Sequence, residues 1–144
     1  MNEKRKVVVA VSGGFDPVHS GHIRHFKEAK KLGHYLVVLL NTDEWLTEKK
    51  GKPFMNFNER KEILESIKYV DEVVGVIDKD KSIARTLEMI KPDILAKGGD
   101  RVQKNMPKNE VDACQRLGIR MVFGVGGGKI QSSSWLLPKN AKRR

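Results

Sequence analysis

The sequence predicts an α/β domain, a parallel sheet of five strands with helices on both faces. Three observations carry this. Short apolar, often β-branched runs recur along the chain, as at residues 7–11 and 35–40. Stretches with helical apolar spacing separate them, and glycine, proline or asparagine stands at most of the junctions. The 144 residues suffice for one compact core without metal or disulfide support.

Taken in order, Val7, Val8, Val9, Ala10 and Val11 read as a strand buried on both faces. A helix over 22–32 follows, with Ile23, Phe26 and Ala29 inward and Gly33 as its stop. Residues 35–40 form the second strand. Residues 47–57 read as a long polar loop, after which Asn58 caps a helix through residue 68 with Ile63, Leu64 and Ile67 inside. The third strand spans 72–77, and a helix over 82–90 ends before Pro92. The fourth strand begins at Ile94, and 98–108 form a second long loop. A helix over 109–117 stops at Gly118, the fifth strand covers 119–123, and a short helix over 132–137 closes the chain. No repeat, linker or low-complexity tract divides it, so residues 1–144 are expected to form one domain with basic, flexible ends at 1–6 and 138–144.

The charge narrows the function classes. The chain carries 28 basic and 18 acidic groups, a net of +10. The two ends hold seven of those basic groups and one acidic group, which leaves +4 on the body. A mildly positive body suits a small anionic ligand. With aromatics at 6%, the chain lacks the stacking platforms of a nucleic-acid groove, so nucleic acid is not the expected partner. One cysteine forms no internal bridge, and Cys114 reads as packing. No apolar run reaches the length of a membrane span and the N-terminus does not read as a signal peptide, so the expected setting is soluble and cytoplasmic.

In such sheets ligands bind beyond the carboxyl ends of the strands, where strand order reverses. The segment after the first strand reads Gly13-Gly14-Phe15-Asp16-Pro17-Val18-His19-Ser20-Gly21-His22. Adjacent glycines let backbone N–H groups approach a phosphate, and Gly21 allows close approach at a helix N-terminus, which favours anions. His19 and His22, three apart, can point at one bound group. Taken singly, each feature is ordinary. A lone histidine there is commonly a cap, and Gly-Gly and Asp-Pro are common turns. Their conjunction at a strand-to-helix junction points to a polyphosphate. The segment lacks both the Gly-x-Gly-x-x-Gly of dinucleotide folds and the Gly-Lys-Ser/Thr of P-loops.

Residues 14–22 resemble the Gly-x-Phe-Asp-x-x-His-x-Gly-His signature of the cytidylyltransferase-like nucleotidyltransferase superfamily. Asn58-Glu59-Arg60-Lys61 is similar to that family's Glu-Arg helix, and Tyr69-Val70-Asp71-Glu72-Val73 to its Val-Asp-x-Val segment. Ser132-Ser133-Ser134 stands where relatives carry Ser-Thr-Thr. The resemblance implies a Rossmann-like, three-layer fold. It implies an enzyme joining a nucleoside triphosphate to a phosphorylated small molecule with release of pyrophosphate. The nucleophile of that reaction is already ionised, so positioning and charge neutralisation carry the catalysis.

On this resemblance His19 and His22 hold the phosphates, with Gly14, Phe15, Asp16 and Gly21 in the surrounding turn, although Asp16 also reads as a turn-forming acceptor. Lys49, placed with Lys50 and Lys52 in the loop after the second strand, sits where relatives put a lysine on the reacting phosphates. Arg60 is expected either to reach a phosphate or to hold the site by ion pairs. Ser132, Ser133 and Ser134 are expected on the β- and γ-phosphates, and Mg²⁺, with no assigned protein ligand, on the triphosphate. Trp45 is expected to pack, while Trp135 is left between packing and a base contact. A homodimer would follow family habit.

Lys97-Gly98-Gly99-Asp100, after Lys91-Pro92-Asp93-Ile94-Leu95, resembles the adenylyltransferase domain of ADP-heptose synthesis. The Arg-Thr-x-Gly of glycerol phosphate cytidylyltransferases is missing from residues 127–131. The expectation is therefore AMP transfer from ATP to a sugar phosphate such as a heptose 1-phosphate. The alternatives are CMP transfer from CTP to a polyol or sugar phosphate, a flavin- or pantetheine-pathway adenylyltransferase, and a nucleic-acid-binding relative without chemistry. The glycine-rich stretch 124–128 is expected to be flexible and to order with ligand.

Overall fold

In a computed structural model, which describes residues 5–99 and 105–126, five strands form one all-parallel sheet. They are β1 (Val8–Gly13), β2 (Tyr35–Leu40), β3 (Glu72–Gly75), β4 (Ile94–Ala96) and β5 (Arg120–Val122). The helices are α1 (Ser20–Lys30), α2 (Asp43–Lys50), α3 (Phe57–Glu65), α4 (Ala84–Ile90) and α5 (Lys108–Leu117). The sheet order is β3-β2-β1-β4-β5. The chain moves outward from β1 to β3 and then returns to the other side of β1, so the order reverses between β1 and β4. That is the crevice where an open α/β sheet binds its ligand.

The continuous apolar strands are explained by two cores, because successive side chains face opposite sides of a sheet. Val9, Val11, Leu36, Val38 and Leu40 pack on the face that carries Phe26 and Ala29 of α1 and Leu64 of α3. Ala10, Val37, Leu39 and Leu95 pack on the other face, against Leu87 of α4 and Cys114 of α5. Cys114 is thus a core residue, and burial pushes its thiol up to about 11. Among the described residues no helix is long and apolar enough to cross a membrane.

The punctuation residues have concrete reasons. A Cβ on Gly33 would lie 2.6 Å from the Val7 carbonyl oxygen, so only glycine passes under the start of β1. Gly118 takes φ 72° at the end of α5, the left-handed conformation that favours glycine. The Asp71 carboxylate accepts from the Leu36 amide and from Lys30, both at 2.8 Å, which fixes the loop ahead of β3 to the start of β2.

Two local expectations are corrected. Residues 43–50, which overlap the start of the expected 47–57 loop, form α2, with the Thr42 hydroxyl accepting from the Trp45 amide at 3.1 Å. Lys49 and Lys50 therefore stand on a helix rather than in a loop. The cap of α3 is Asn56 and not Asn58; its side chain accepts from the Glu59 amide at 2.9 Å. The expected last helix, the tail at 138–144, Asp100 and Ser132, Ser133 and Ser134 lie outside the described residues.

Candidate active site

The turn leaving β1 is shaped by close packing. A Cβ on Gly14 would come within 2.7 Å of Leu46 Cδ2, so glycine there lets α2 lie against the turn. Phe15, at φ 49°, turns its ring inward. That ring meets the His22 ring edge-on at 4.9 Å and the Phe26 ring at 5.2 Å. It is the floor beneath the histidine pair.

His19 is the N-cap of α1, and its Nδ1 accepts from the Gly21 amide at 3.1 Å. The His22 Nδ1 accepts in return from the His19 amide at 3.1 Å, a reciprocal capping arrangement. The two rings stack with centroids 3.9 Å apart and 28° between planes. An amide can only donate, so neither Nδ1 carries a proton and each Nε2 does. Burial, with His19 and His25 nearby, lowers the pKa of His22 from 6.5 to about 4, so its ring is neutral at pH 7. The pair therefore offers aligned neutral donors, not two positive charges.

Both rings line a cavity of about 610 Å³ above the reversal between β1 and β4. Of the other expected site residues, Gly14, Phe15, Gly21, Lys49, Lys97, Gly98 and Gly99 also line it. The Lys49 ammonium lies 5.0 Å from the Trp45 ring centroid, so Trp45, expected to pack, instead carries that lysine at the cavity wall. Lys97 reaches inward, with its Nζ 3.2 Å from the Ser12 hydroxyl and 4.0 Å from Glu110.

Asp16 and Arg60 are not on the cavity wall. The two Asp16 oxygens accept from the amides of Phe54 and Met55, each at 2.7 Å, which ties the turn after β1 to the loop before α3. Arg60 is 1% exposed. Its guanidinium donates to the carbonyls of Met55 (3.0 Å), Gly14 and Asn41 (both 2.9 Å) and to the Asp43 carboxylate at 2.7 Å. It ties together the turn after β1, the end of β2, the start of α2 and the loop before α3.

The sequence reading missed His25, Asn41 and Lys81, which also line the cavity. His25 was legible in principle, since it lies one helical turn beyond His22 on the same face. Asn41 lies just past the end of β2 and Lys81 in the loop between β3 and α4, and neither carries a periodic signal.

A magnesium ion needs oxygen ligands. No group of three or more His, Cys, Asp or Glu side chains among the described residues is arranged to hold one. The Asp16 oxygens are engaged with amides, and Glu110 lies beside Lys97. The described residues thus build no protein cage for the ion.

The model of the cytidylyltransferase-like family matches residues 10–124. The chain belongs to that family. This family membership makes it a nucleotidyltransferase with the Rossmann-like α/β fold. An FAD synthase of Pyrococcus horikoshii is 42% identical over 103 residues, covering 70% of this chain and 68% of the relative. The bifunctional protein HldE of Citrifermentans bemidjiense is 34% identical over 140 residues, 96% of this chain but only 28% of that protein. A lipopolysaccharide core biosynthesis protein from Thermoplasma volcanium, solved by crystallography, superposes with a TM-score of 0.68 at 29% identity, covering 83% of this chain and 95% of that one.

Proposed function

We propose that this cytidylyltransferase-like chain transfers AMP from ATP to the phosphate of a small acceptor and releases pyrophosphate. The observation that carries it is the stacked His19–His22 pair, both Nδ1 atoms held by backbone amides, on the wall of the cavity at the sheet's reversal point. Preset donors at that spot suit a triphosphate, and the N-terminus of α1 adds favourable backbone dipoles.

An acceptor phosphate oxygen attacks the α-phosphorus, and the bond from that phosphorus to the β-phosphate oxygen breaks. The electron pair leaves with pyrophosphate. The attacking oxygen is ionised at neutral pH, so no base is needed, and the His22 lone pair is spent on the His19 amide. The imidazole Nε2–H groups donate to phosphate oxygens and stabilise charge that grows in the transition state. Mg²⁺, for which the described residues build no cage, would supply shielding of phosphate charge if bound to the triphosphate.

The cavity's two ends divide the substrates. Gly98, Gly99, Val125 and Gly126 form an uncharged wall of backbone and small side chains, which suits the nucleoside. Lys49 and Lys81 stand at the α2 end and suit the acceptor's phosphate. For the acceptor we favour a sugar phosphate, on the Lys97-Gly98-Gly99 segment and on the HldE relative that aligns along nearly the whole chain. FMN is the second reading, favoured by FAD synthases at 36–42% identity. The test is pyrophosphate release with ATP and with CTP against heptose 1-phosphate, FMN and glycerol 3-phosphate. Release with ATP and a sugar phosphate is the expected result. Release only with FMN selects the second reading, release only with CTP overturns the adenylyl assignment, and no release with any pair overturns nucleotidyl transfer to these acceptors.

A further inference from the structure

His25 lies between the histidine pair and the uncharged wall. Its Nδ1 is 2.6 Å from the Val125 carbonyl oxygen. A carbonyl can only accept, so here the proton is on Nδ1, the opposite of His19 and His22. Burial holds the pKa of this ring below the ordinary histidine range, with Lys97 adding to the lowering and the Val125 bond opposing it. A neutral ring with an Nδ1 proton results.

Three chain segments meet at this ring. The Val125 amide donates to the Lys97 carbonyl at 2.9 Å, joining the turn after β5 to the end of β4. A Cβ on Gly98 would stand 3.0 Å from His25 Nδ1 and 3.2 Å from the Val125 oxygen. A Cβ on Gly126, which has φ 68°, would stand 2.6 Å from His25 Cα and 2.7 Å from the Arg24 carbonyl oxygen. Gly126 admits only glycine, a Cβ at Gly98 would press on the imidazole, and the backbone on either side of the ring is drawn close to α1. Val125 and Gly126 thus pack directly against α1.

We propose that His25 is a positioning residue: by donating to the Val125 carbonyl it fixes the Gly98 and Val125–Gly126 wall against α1, at the distance from the His19–His22 pair that a nucleoside triphosphate requires. The inference rests on the triphosphate reading of the cavity. It separates two jobs on one helix. His19 and His22 meet the phosphates, and His25 acts only through the wall that meets the nucleoside.

The separation gives a binding test with two probes, ATP and inorganic tripolyphosphate, each with magnesium, measured by calorimetry on the full chain. His25→Leu keeps bulk but removes the donor, and His25→Asn restores an N–H near the Nδ1 position. The expected result is that His25→Leu weakens ATP about tenfold, near the upper size of one neutral hydrogen bond. Tripolyphosphate binding stays at the wild-type value, and His25→Asn recovers most of the ATP affinity. A long-range ¹⁵N–¹H spectrum of the wild-type histidines should show His25 as the Nδ1–H tautomer. Unchanged ATP affinity in His25→Leu, equal loss of both probes, no recovery in His25→Asn, or an Nε2–H tautomer for His25 overturns the inference. Wild-type protein that binds neither probe overturns the triphosphate reading itself and the inference with it, an outcome distinct from all four.

Discussion

The two ends of the cavity are built differently. At the α1 end every functional group is fixed by backbone: His19 by the Gly21 amide, His22 by the His19 amide, and the turn beneath them by Arg60 and Asp16. At the α2 end the cations are held more loosely, by an exposed carboxylate and an aromatic ring. Lys81 lies 3.5 Å from Glu48 with both side chains more than half exposed, and Lys49 lies 5.0 Å from the Trp45 ring centroid. The difference follows the chemistry we propose. Stabilising a transition state rewards donors that need no rearrangement, whereas admitting an acceptor tolerates side chains that move.

The largest way to break this contrast is at Arg60. Arg60→Met keeps much of the volume but leaves the Gly14, Asn41 and Met55 carbonyls without their donor and Asp43 without its partner. Removing one side of a buried charged network costs about 3–5 kcal/mol. Urea denaturation should show a loss of that size, and a loss below about 1 kcal/mol would mean that the α1 end is no more firmly fixed than the other. The histidines come next. His22→Ala should lower turnover by about 10²–10³-fold, the range found when one preset donor to a transition state is removed. His19→Ala should do the same and also lose a helix cap, about 1 kcal/mol of stability, while His19→Asn keeps the cap and loses the turnover. Turnover within tenfold of wild type in His22→Ala would reassign the pair.

The neutral state of His22 sharpens the contrast through pH. Its folded-state pKa of about 4 lies below the unfolded value of 6.5. Between those values the unfolded chain binds a proton that the folded ring refuses, so stability rises with pH there and falls on acidification from 6.5 toward 4. Above pH 6.5 the ring contributes no slope. The urea midpoint followed from pH 7.5 to 4.5 should show that decline, and His22→Asn should flatten it. An unchanged decline in His22→Asn would place the titration elsewhere.

The strands and most helices were legible because a doubly covered parallel sheet demands uninterrupted apolar runs, and residues 35–40 matched β2 to the residue. Helix α2 was missed because Leu46 is its one residue in the buried apolar core, so no apolar stripe announces it. Its cap, Thr42 ahead of Asp43 and Glu44, was the available signal. The histidine motif was legible because its residues are consecutive. Arg60 could be read from the sequence as a site residue but not placed, since an arginine in a charged segment reads as solvent-facing. Its burial arises only when four separate segments bring three carbonyls and a carboxylate around it. Asp16 is the same case on a smaller scale, and Asp16→Ala, which frees two amides, should cost about 1–3 kcal/mol in the same denaturation assay.

The smallest effect is expected at the exposed end. Lys81 sits at φ 66° just after the Asp78–Asp80 turn, and the Asp80 carboxylate accepts from the Ser82 amide and hydroxyl beside it. The turn is thus held by its neighbours, and the lysine itself extends over the cavity mouth. Lys81→Ala should leave stability within about 0.5 kcal/mol of wild type. An exposed charge contributes up to about 1 kcal/mol to one partner, so the KM for the phosphorylated acceptor should rise up to about fivefold, with the KM for ATP unchanged. Raising the salt should erase the difference, because exposed charges are screened over about 10 Å at 0.1 M. A rise in the ATP KM instead would move the triphosphate to the α2 end and reverse the assignment of the two ends.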